Sequence, residues 1–425
     1  MEGSFDDVSL RLSVVVNTSE DSFSFFRVPP WVETTNNFFE KRGYRISVSA
    51  FGKNELSYHK KGFEQRIYRK LSFFKDPISF PLYFHMLKDN ANLAIVHGLP
   101  DLTTLIALII YGIKRIPVII FVHGVHREID ILDHLRNLLI RVFLRIFPAR
   151  LVVLTKYDKK VLLEKWKLSE ANIVLSNACL LLTEKEREKI HFWKRYVKEK
   201  EKRKGEKQFT VLYVGRLSWE KRVDRAIQAF KRIQDKMISP NIKLVIVGDG
   251  PQKKLLISLA RKYNVEKYIE FKGAVSNEEV WKYYLMSDVL ILPSEQEGFP
   301  RVIIEAFACG KPVLASNICG IPEIVIHNTN GMLINNHEEI ADCIIKLSSD
   351  PDTLKKLAEN AEKTYKSLMS ARAKSDEPFG EIVDTIKCLC INKKSEVLRE
   401  SSELMAFYDN GKFQLFYARE GTFQE

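Results

Sequence analysis

Short runs of apolar, β-branched residues recur along the whole chain, and stretches with helical periodicity separate them. Strands that are buried on both faces have continuous apolar sequences, and parallel strands need a crossover helix between them. The alternation therefore predicts parallel sheets that are covered by helices on both faces. The runs form two sets: RLSVVV, RISVSAF, NLAIVHG, PVIIFVH and RLVVLT in the first half, then FTVLYVG, KLVIVGDG, YIEFKG, VLILPS and PVLAS.

Two sets of strands in 425 residues predict two doubly wound, Rossmann-like α/β domains that face a cleft. We place the first domain at residues 1–205 and the second at residues 206–370. Residues 183–207 are rich in Lys and Arg and are interpreted as a solvated helix and linker, with membrane contact as the alternative. Residues 371–425 are predicted to be a helical tail that returns to the N-terminal domain.

Charge and composition restrict the partners. The net charge of +12 favours a polyanionic partner, namely a nucleic acid, an anionic membrane face or a phosphorylated ligand. No nucleic-acid-binding motif is recognisable, so we expect no nucleic acid partner. The six cysteines lack paired spacing with a distant His, which predicts free thiols in a reducing cytosol and no metal site. The acidic N-terminus does not resemble a signal peptide. The longest apolar stretch, LTTLIALIIYGIKRIPVIIFV, predicts a buried helix and strand and no transmembrane anchor.

The stretch EQEGFPRVIIEAFACGKPVLAS, residues 295–316, places two carboxylates eight positions apart after the strand VLILPS. Pro300 is a favourable first helical residue, so the backbone N–H groups of residues 298–301 should point outward, where a phosphate binds well. Glu297 precedes this helix start, and Glu305 lies about two turns along the helix. Carboxylates accept hydrogen bonds from hydroxyls, so the pattern suits a diphosphate with hydroxyl-rich groups on both sides, as in a nucleotide sugar. A helix cap and a solvated glutamate explain either residue alone.

Other polar residues follow other strands. Arg216 and Lys221 come just after FTVLYVG, where a forked guanidinium and an ammonium suit a departing diphosphate. Ordinary surface cations are the alternative. His97 and His123 end two strands of the N-terminal half, and His126 follows three residues later. A lone histidine is more often structural, and the pattern does not choose among the three.

Four strings, EGFPRVIIEAFACGKPVLAS, GRLSWEK, IVGDGP and SDVLILPS, together resemble the retaining glycosyltransferase family 4, whose members have two Rossmann-like domains, the B fold. The likeness is dense over about residues 209–350. The first half resembles the family only in outline, through FFEKRGYRISV and IIFVHG.

The resemblance implies that residues 1–205 are the acceptor-side domain and residues 206–370 the nucleotide-sugar domain. It also implies a role for each matching residue. Arg216 and Lys221 would contact the donor diphosphate, Glu297 the donor sugar and Glu305 the ribose, while backbone groups around Lys272 and Gly273 would contact the base. It also makes His123 the family histidine near the donor sugar. The implied catalytic residues are His123, Glu297, Arg216 and Lys221, and the implied donor contacts are Arg216, Lys221, Lys272, Gly273, Gly298, Phe299, Pro300 and Glu305.

Three further features bear on this interpretation. The loop after the first strand has no glycine where the family usually has a Gly-rich loop. Asp350 and Asp352 suit a helix N-cap better than a metal site. Residues 131–146 predict a helix whose apolar face packs against the N-terminal sheet, with membrane contact as the alternative. The members of that face are Ile131, Leu135, Leu138, Val142 and Ile146, and Arg136, Arg141 and Arg145 lie elsewhere on the helix.

Together these observations predict a metal-independent, retaining glycosyltransferase that uses a nucleotide-diphosphate sugar and no other cofactor. The expected acceptor is a glycan or a lipid-linked saccharide. The expected location is the cytoplasm, with peripheral attachment to the inner membrane face as an option suggested by the charge. The alternative is a non-catalytic nucleotide-sugar-binding subunit or sensor on the same fold, which the missing N-terminal glycines motivate.

Overall fold

The computed structural model shows two α/β units, as the alternating sequence predicts. It describes residues 11–16, 36, 40, 45–52, 56–60, 63–69, 79–98, 101–124, 131–176, 182–201, 208–236, 241–336, 338–374, 404–409 and 412–417. Each of the ten runs named above forms a strand within these ranges. The two sheets have parallel strands with helices between them, so the predicted fold class is confirmed.

The N-terminal sheet has eight strands in the order β3-β4-β2-β1-β5-β6-β7-β8. They are β1 (Arg11–Val16), β2 (Arg45–Gly52), β3 (Leu56–Lys60), β4 (Phe63–Arg69), β5 (Leu93–Gly98), β6 (Val118–Val122), β7 (Ala149–Val153) and β8 (Ile173–Leu175). Its described helices are α1 (Phe80–Lys88), α2 (Leu102–Ile113), α3 (Ile131–Ile146) and α4 (Lys156–Glu164). The expectation of an all-parallel sheet is wrong at one edge, where β3 pairs antiparallel with β4. Only residues 61–62 separate these strands, and so short a connection permits only a hairpin.

The C-terminal sheet has six strands, all parallel, in the order β11-β10-β9-β12-β13-β14. They are β9 (Phe209–Val214), β10 (Ile242–Val247), β11 (Ile269–Gly273), β12 (Val289–Leu292), β13 (Val313–Ser316) and β14 (Gly331–Ile334). The described helices that accompany them are α5 (Glu184–Glu201), α6 (Val223–Asp235), α7 (Lys253–Lys262), α8 (Val280–Met286), α9 (Arg301–Ala308), α10 (Glu339–Ser349) and α11 (Pro351–Lys374). The chain builds outward from β9 to β11 and then returns to β12 beside β9. The switch point between β9 and β12 is where ligands bind in open sheets of this kind.

The apolar strand sequences are buried because helices pack on the sheets. Helices α1 to α4 cover one face of the N-terminal sheet, and helices cover both faces of the C-terminal sheet. Val14, Val15 and Val16 of β1 are fully buried, although successive side chains point to opposite faces. The longest apolar stretch folds as helix α2 followed by strand β6, as predicted. Among the residues described here, no helix is both long and apolar enough to cross a bilayer.

Helix α5 does not form the predicted solvated linker. Its residues Ile190 and Val197 are buried in the core of the C-terminal domain, and the Trp193 indole Nε1 donates to the Glu278 carbonyl at 2.8 Å. The error arose because the basic residues mask a sparse apolar stripe at helical spacing. The domain boundaries at residues 205 and 370 stay predictions.

Helix α3 packs through a different face from the predicted one. Asn137, Ile140 and Leu144 are at most 3% exposed and face the core. Four of the residues expected to be buried are 41% to 64% exposed: Leu135, Leu138, Val142 and Ile146. The helix is apolar on more than one face, so periodicity alone could not show which one meets the sheet.

The C-terminal part of the chain agrees with the prediction only in places. Asp350 caps α11, because the Thr353 backbone N–H donates to its Oδ1 at 2.9 Å, so the N-cap interpretation is confirmed. The helix predicted to return to the N-terminal domain falls in residues 375–403, outside the described ranges. Residues 404–409 (β15) and 412–417 (β16) pair as an antiparallel ribbon where a helical tail was predicted.

Candidate functional site

The carboxyl ends of β9 and β12 lie side by side, and the loops that follow them are joined. The Glu295 backbone N–H donates to the Glu220 carbonyl at 2.8 Å, which ties the loop after β12 to the loop after β9. Arg216 and Lys221 belong to the first of these loops, and Glu297 to the second. The fold therefore brings together, at the switch point, two sets of predicted residues that are about 80 positions apart in the chain.

Glycines let the backbones near β9 approach one another closely. A Cβ on Gly248 would lie 1.8 Å from the Gly215 carbonyl oxygen, and one on Gly250 would lie 2.5 Å from the Leu217 carbonyl oxygen. Both glycines have positive φ, at 143° and 158°. The sequence VGDG therefore serves a tight backbone contact between the β9 and β10 loops. This contact fixes the path of the loop that carries Arg216.

Lys221 and Glu297 form an ion pair at the centre of the site. The Lys221 ammonium lies 3.0 Å from each carboxylate oxygen of Glu297, and the Ser294 hydroxyl donates to Oε1 at 2.6 Å. The Glu297 side chain is only 7% exposed, whereas Lys221 is 25% exposed. A buried carboxylate needs such partners, because it would otherwise lose its hydration without compensation. The pair leaves Lys221 partly open to solvent and holds Glu297 in one orientation.

The N-terminal domain meets this loop through His123. A Cβ on Gly298 would lie 1.7 Å from the His123 carbonyl oxygen, so the two backbones touch directly. His123 directly follows β6, and its backbone borders the Glu297 loop. The His97 Nδ1 lies 3.3 Å from His123 Nε2, and the two rings are stacked. His126 falls outside the described residues.

Burial controls the protonation of both histidines. It lowers the pKa of His123 to about 4 and lowers the pKa of His97 well below its ordinary value. His97 is also affected by the neighbouring His123, since two adjacent positive charges would repel one another. Both rings are therefore neutral near pH 7. A neutral His123 ring can donate a hydrogen bond to a sugar hydroxyl or accept one from it, without adding charge to the site.

A second contact between the domains lies beside the first. The backbone N–H groups of Lys156 and Tyr157 donate to the two carboxylate oxygens of Glu323, at 3.0 and 2.8 Å. These groups lie in the first turn of α4, where a carboxylate is favourable for both hydrogen bonding and the helix dipole. A Cβ on Gly320 would clash with Thr155, 2.3 Å from its Cγ2. The two domains are thus in direct contact at this place as well as at His123.

Helix α9 begins one residue later than predicted. Pro300 is the N-cap and not the first helical residue, and the Ile303 backbone N–H donates to its carbonyl at 3.1 Å. The difference arises because Pro300 has an extended ψ of 102°. In the described part of the chain, no acceptor binds the backbone N–H of Gly298 or Phe299. The start of α9 therefore offers the donors that the sequence predicted, next to the Lys221–Glu297 pair.

Glu305 lies in a network that sequence reasoning missed. The Tyr284 hydroxyl donates to its Oε2 at 2.8 Å, and Arg301 Nε lies 3.5 Å from its Oε1. Arg301 Nη2 also donates to Glu186 at 2.5 Å, and Thr183 and Glu186 form the capping box of α5. Burial raises the pKa of Glu305, and the charge of Arg301 opposes that rise. The sequence signals were the T-x-x-E motif of the cap and the four-residue spacing of Arg301 and Glu305.

The remaining predicted contacts lie at the ends of their strands. Arg216 is partly buried after β9, and the Tyr213 hydroxyl donates to its carbonyl oxygen at 2.8 Å. Lys272 is exposed near the end of β11 and pairs with Glu270, so its side chain is engaged on the outer surface. Gly273 has a φ of 72°, and its carbonyl accepts from the Gly248 N–H at 2.8 Å. Only the backbone of residues 272–273 is therefore placed to border the loops of the site.

Comparisons with known proteins agree with this geometry. The sequence model of the family "Glycosyl transferases group 1" matches residues 195–364. N-acetyl-alpha-D-glucosaminyl L-malate synthase of Bacillus anthracis is 31% identical over 190 residues, which cover 44% of this chain and 48% of that protein. Alpha-monoglucosyldiacylglycerol synthase of Acholeplasma laidlawii is 28% identical, over 45% and 46% of the two chains. The matches thus span about half the length of these relatives.

Solved structures resemble nearly the whole chain. Anabaena HepE in complex with UDP superposes with a TM-score of 0.61 at 15% identity, over 91% of this chain and all of that one. Sucrose-phosphate synthase from Thermosynechococcus elongatus gives a TM-score of 0.64 at 17% identity, over 92% of this chain and all of that one. At this identity the likeness concerns the fold, which in both neighbours has the two-domain arrangement described above.

Proposed function

Since the chain belongs, through residues 195–364, to the glycosyl transferases group 1 family, we propose that it transfers a sugar from a nucleotide-diphosphate sugar to an acceptor hydroxyl. The observation that carries this proposal is the Lys221–Glu297 pair at the β9–β12 switch point, beside the open N-terminus of α9. Cationic, anionic and backbone donor groups converge there. A nucleotide-sugar substrate, which carries both a diphosphate and a sugar, needs all three kinds of group.

The diphosphate is the leaving group, and its negative charge grows as the glycosidic bond breaks. Arg216, Lys221 and the backbone N–H groups of Gly298 and Phe299 would stabilise that charge. Their positions are held in advance by the glycine contacts of the β9 loop and by the ion pair with Glu297. Preorganised groups of this kind lower the barrier because they need no rearrangement as the charge develops. We therefore propose that these cations do the work that a metal ion does in other transferases.

The sugar and the ribose would occupy opposite ends of the diphosphate. Glu297 is held by Lys221 and Ser294 and would accept from sugar hydroxyls, while the neutral His123 would contact the sugar from the N-terminal domain. Glu305 would accept from the ribose hydroxyls. Base recognition would use the backbone of residues 272–273. We further propose that the acceptor hydroxyl attacks from the face that the leaving group vacates, with retention of configuration, as in the family that the sequence resembles.

The acceptor would bind in the N-terminal domain. We propose a glycan or a lipid-linked saccharide. The similarity to a relative named alpha-monoglucosyldiacylglycerol synthase is compatible with a lipid acceptor. The excess of positive charge is favourable near anionic lipids.

The test combines ligand binding with turnover. Thermal stability is measured with UDP, GDP and ADP, since a ligand at 100 times its dissociation constant adds about 2.7 kcal/mol of stability. Transfer and donor hydrolysis are then measured with sugars of the stabilising nucleotide, for the unaltered chain and for Glu297→Ala and Arg216→Ala. Losses smaller than about tenfold, or 1.4 kcal/mol of barrier, would contradict the assigned roles. Activity should persist in EDTA.

A non-catalytic sensor of nucleotide sugars is the second candidate. The observation that favours it is the absence of glycine from the loop after β1, where the resembled family usually has a Gly-rich segment. Binding of a nucleoside diphosphate without turnover of any donor sugar would support the sensor and contradict the transferase.

A further inference from the structure

The outer face of the N-terminal domain carries an unusually apolar surface. Helix α2 lies between α1 and α3 and contacts both, so the three helices form one layer over the sheet. Nine of the fifteen large apolar side chains that are exposed among the described residues lie on this layer. They define the three-helix surface: Phe80, Phe84, Leu87, Ile113, Leu135, Leu138, Leu139, Val142 and Ile146.

These side chains are not needed for the core, because each helix already buries another face. Leu82 and Met86 of α1, Leu108 of α2, and Ile140 and Leu144 of α3 are at most 2% exposed and belong to one core cluster. A surface helix normally presents polar residues on its outward side. Here Phe80 is 70% exposed, Ile113 is 71% and Ile146 is 64%. Exposed apolar residues that extend over neighbouring elements mark an interaction surface.

The charges on the described side chains of these helices have one sign, although Asp89 caps the end of α1. Every charged side chain that the structure describes on α1, α2 and α3 is basic, namely Lys88, Arg136, Arg141 and Arg145. Asp133 is in the first turn of α3, and its side chain falls outside the described ones. The Lys88 ammonium lies over the Phe84 ring, 4.2 Å from its centroid. Apolar residues with basic ones beside them are the pattern of helices that lie in the plane of an anionic bilayer surface.

We propose that the three-helix surface rests on a bilayer that contains anionic lipids. The apolar side chains enter the boundary between headgroups and acyl chains, and the arginines and Lys88 contact lipid phosphates. A broad layer of side-by-side helices suits an extended surface better than a narrow peptide. The binding itself does not depend on the proposed transfer reaction; only its use, the capture of a lipid-linked acceptor, rests on that function.

The test is flotation of the full chain with two kinds of vesicle, phosphatidylcholine alone and phosphatidylcholine mixed with phosphatidylglycerol. We expect binding to the mixed vesicles at low salt and weaker binding to the neutral ones. F80S/F84S on α1 and L138Q/V142Q on α3 should each lower the partition coefficient by about tenfold or more, since interfacial binding scales with buried apolar area. R141Q/R145Q should abolish most of the preference for anionic lipid.

The matched control is L255Q/I326Q, which changes two apolar residues of the C-terminal domain that are 62% and 54% exposed. It should bind vesicles like the unaltered chain. Stabilisation by the nucleoside diphosphate is measured on every variant and should not change, which separates this proposal from the proposed reaction. Absence of vesicle binding by the unaltered chain overturns the proposal. Another occupant, such as residues 375–403 or a second copy of the chain, would then have to cover the surface. Equal binding by L138Q/V142Q and its control overturns the proposal as well.

Discussion

The Lys221 ammonium lies 3.0 Å from each of the two carboxylate oxygens of Glu297, a residue 76 positions further along the chain. One residue follows β9 and the other follows β12, so only the adjacency of these strands brings them together. The carboxylate is almost fully buried and the ammonium is not. The pair therefore fixes Glu297 while leaving the cation accessible to a ligand.

Removing one charge of this pair should lower the free energy of unfolding more than removing both charges. Lys221→Met leaves a buried carboxylate without its cation, whereas K221M/E297Q replaces both charges. We expect the single change to destabilise the fold by about 1–3 kcal/mol and the double change to restore part of that loss. Urea unfolding of the unaltered chain, Lys221→Met, Glu297→Gln and K221M/E297Q measures the coupling energy between the two side chains. Additive effects of the two substitutions would show that the pair does not hold Glu297 in place.

Arg301 should position Glu305 by holding it between α5 and α9. Among the described residues, its Nη1 is buried without a hydrogen-bond acceptor, so Arg301 also has a spare donor beside the site. Arg301→Met should raise KM for the donor more than it lowers kcat, because the ribose contact is lost while the diphosphate contacts remain. Arg301→Lys should recover part of the affinity.

Arg232→Met is the matched control for that substitution, because Arg232 is a partly exposed arginine on α6 that pairs with Glu338. It should leave KM unchanged. If Arg301 has a purely structural role, Arg301→Met should instead lower the melting temperature and leave KM unchanged, so that Arg301→Lys has no loss of affinity to recover.

Gly298→Ala should separate the domains at the cleft. The added methyl would lie 1.7 Å from the His123 carbonyl oxygen, and backbone atoms on both sides leave it no space. We expect at least a tenfold loss of transfer, because the N-terminal domain could no longer approach the Glu297 loop. Gly310→Ala also adds a methyl, but nothing lies within 4 Å of it, and its φ of 69° should cost only about 1 kcal/mol of stability. Full activity of Gly298→Ala would contradict the described contact.

His123 should make the protein sensitive to acid. Its pKa is about 4 in the folded chain against 6.5 ordinarily, so its contribution to stability is complete above pH 6.5 and is lost as the pH falls toward 4. Between about pH 7.5 and pH 5, the unaltered chain should lose about 2 kcal/mol more than His123→Asn. His97 is present in both proteins, so the difference reports the titration of His123 together with its effect on His97. An NMR titration of His123 near pH 6.5 in the folded chain would contradict this account.

The sequence predicted the elements better than it predicted which faces they bury. Each of the ten short apolar runs became a strand, because short runs rich in β-branched residues and bounded by turn residues are typical of buried strands. The face of α3 that packs on the sheet could not be chosen, since Leu135 and Ile140 are equally apolar and only the neighbouring helix decides between them. Helix α5 was misjudged because Ile190 and Val197 are surrounded by charges. The antiparallel β3–β4 hairpin was missed for a similar reason, as its edge strand LSYHK is short and polar.

The candidate site was predictable where one short string contains the chemistry. Glu297, Gly298 and Glu305 lie within nine residues, so their spacing along a helix start could be read directly. The partners of these residues could not be found in this way, because Ser294, Glu186 and Tyr284 are ordinary residues whose role depends on packing. Contacts across the cleft, such as Gly298 with His123, depend on the arrangement of two domains and leave no local pattern.

The central claim is that Arg216 and Lys221 bind a diphosphate, and calorimetric titration tests it most directly. The nucleoside diphosphate that stabilises the chain and its monophosphate are titrated into the unaltered protein, Arg216→Met, Lys221→Met and the control Arg232→Met. We predict that each site variant loses about tenfold or more in affinity for the diphosphate and much less for the monophosphate, while the control loses neither. Equal diphosphate affinity in Arg216→Met, Lys221→Met and the unaltered chain would contradict the claim.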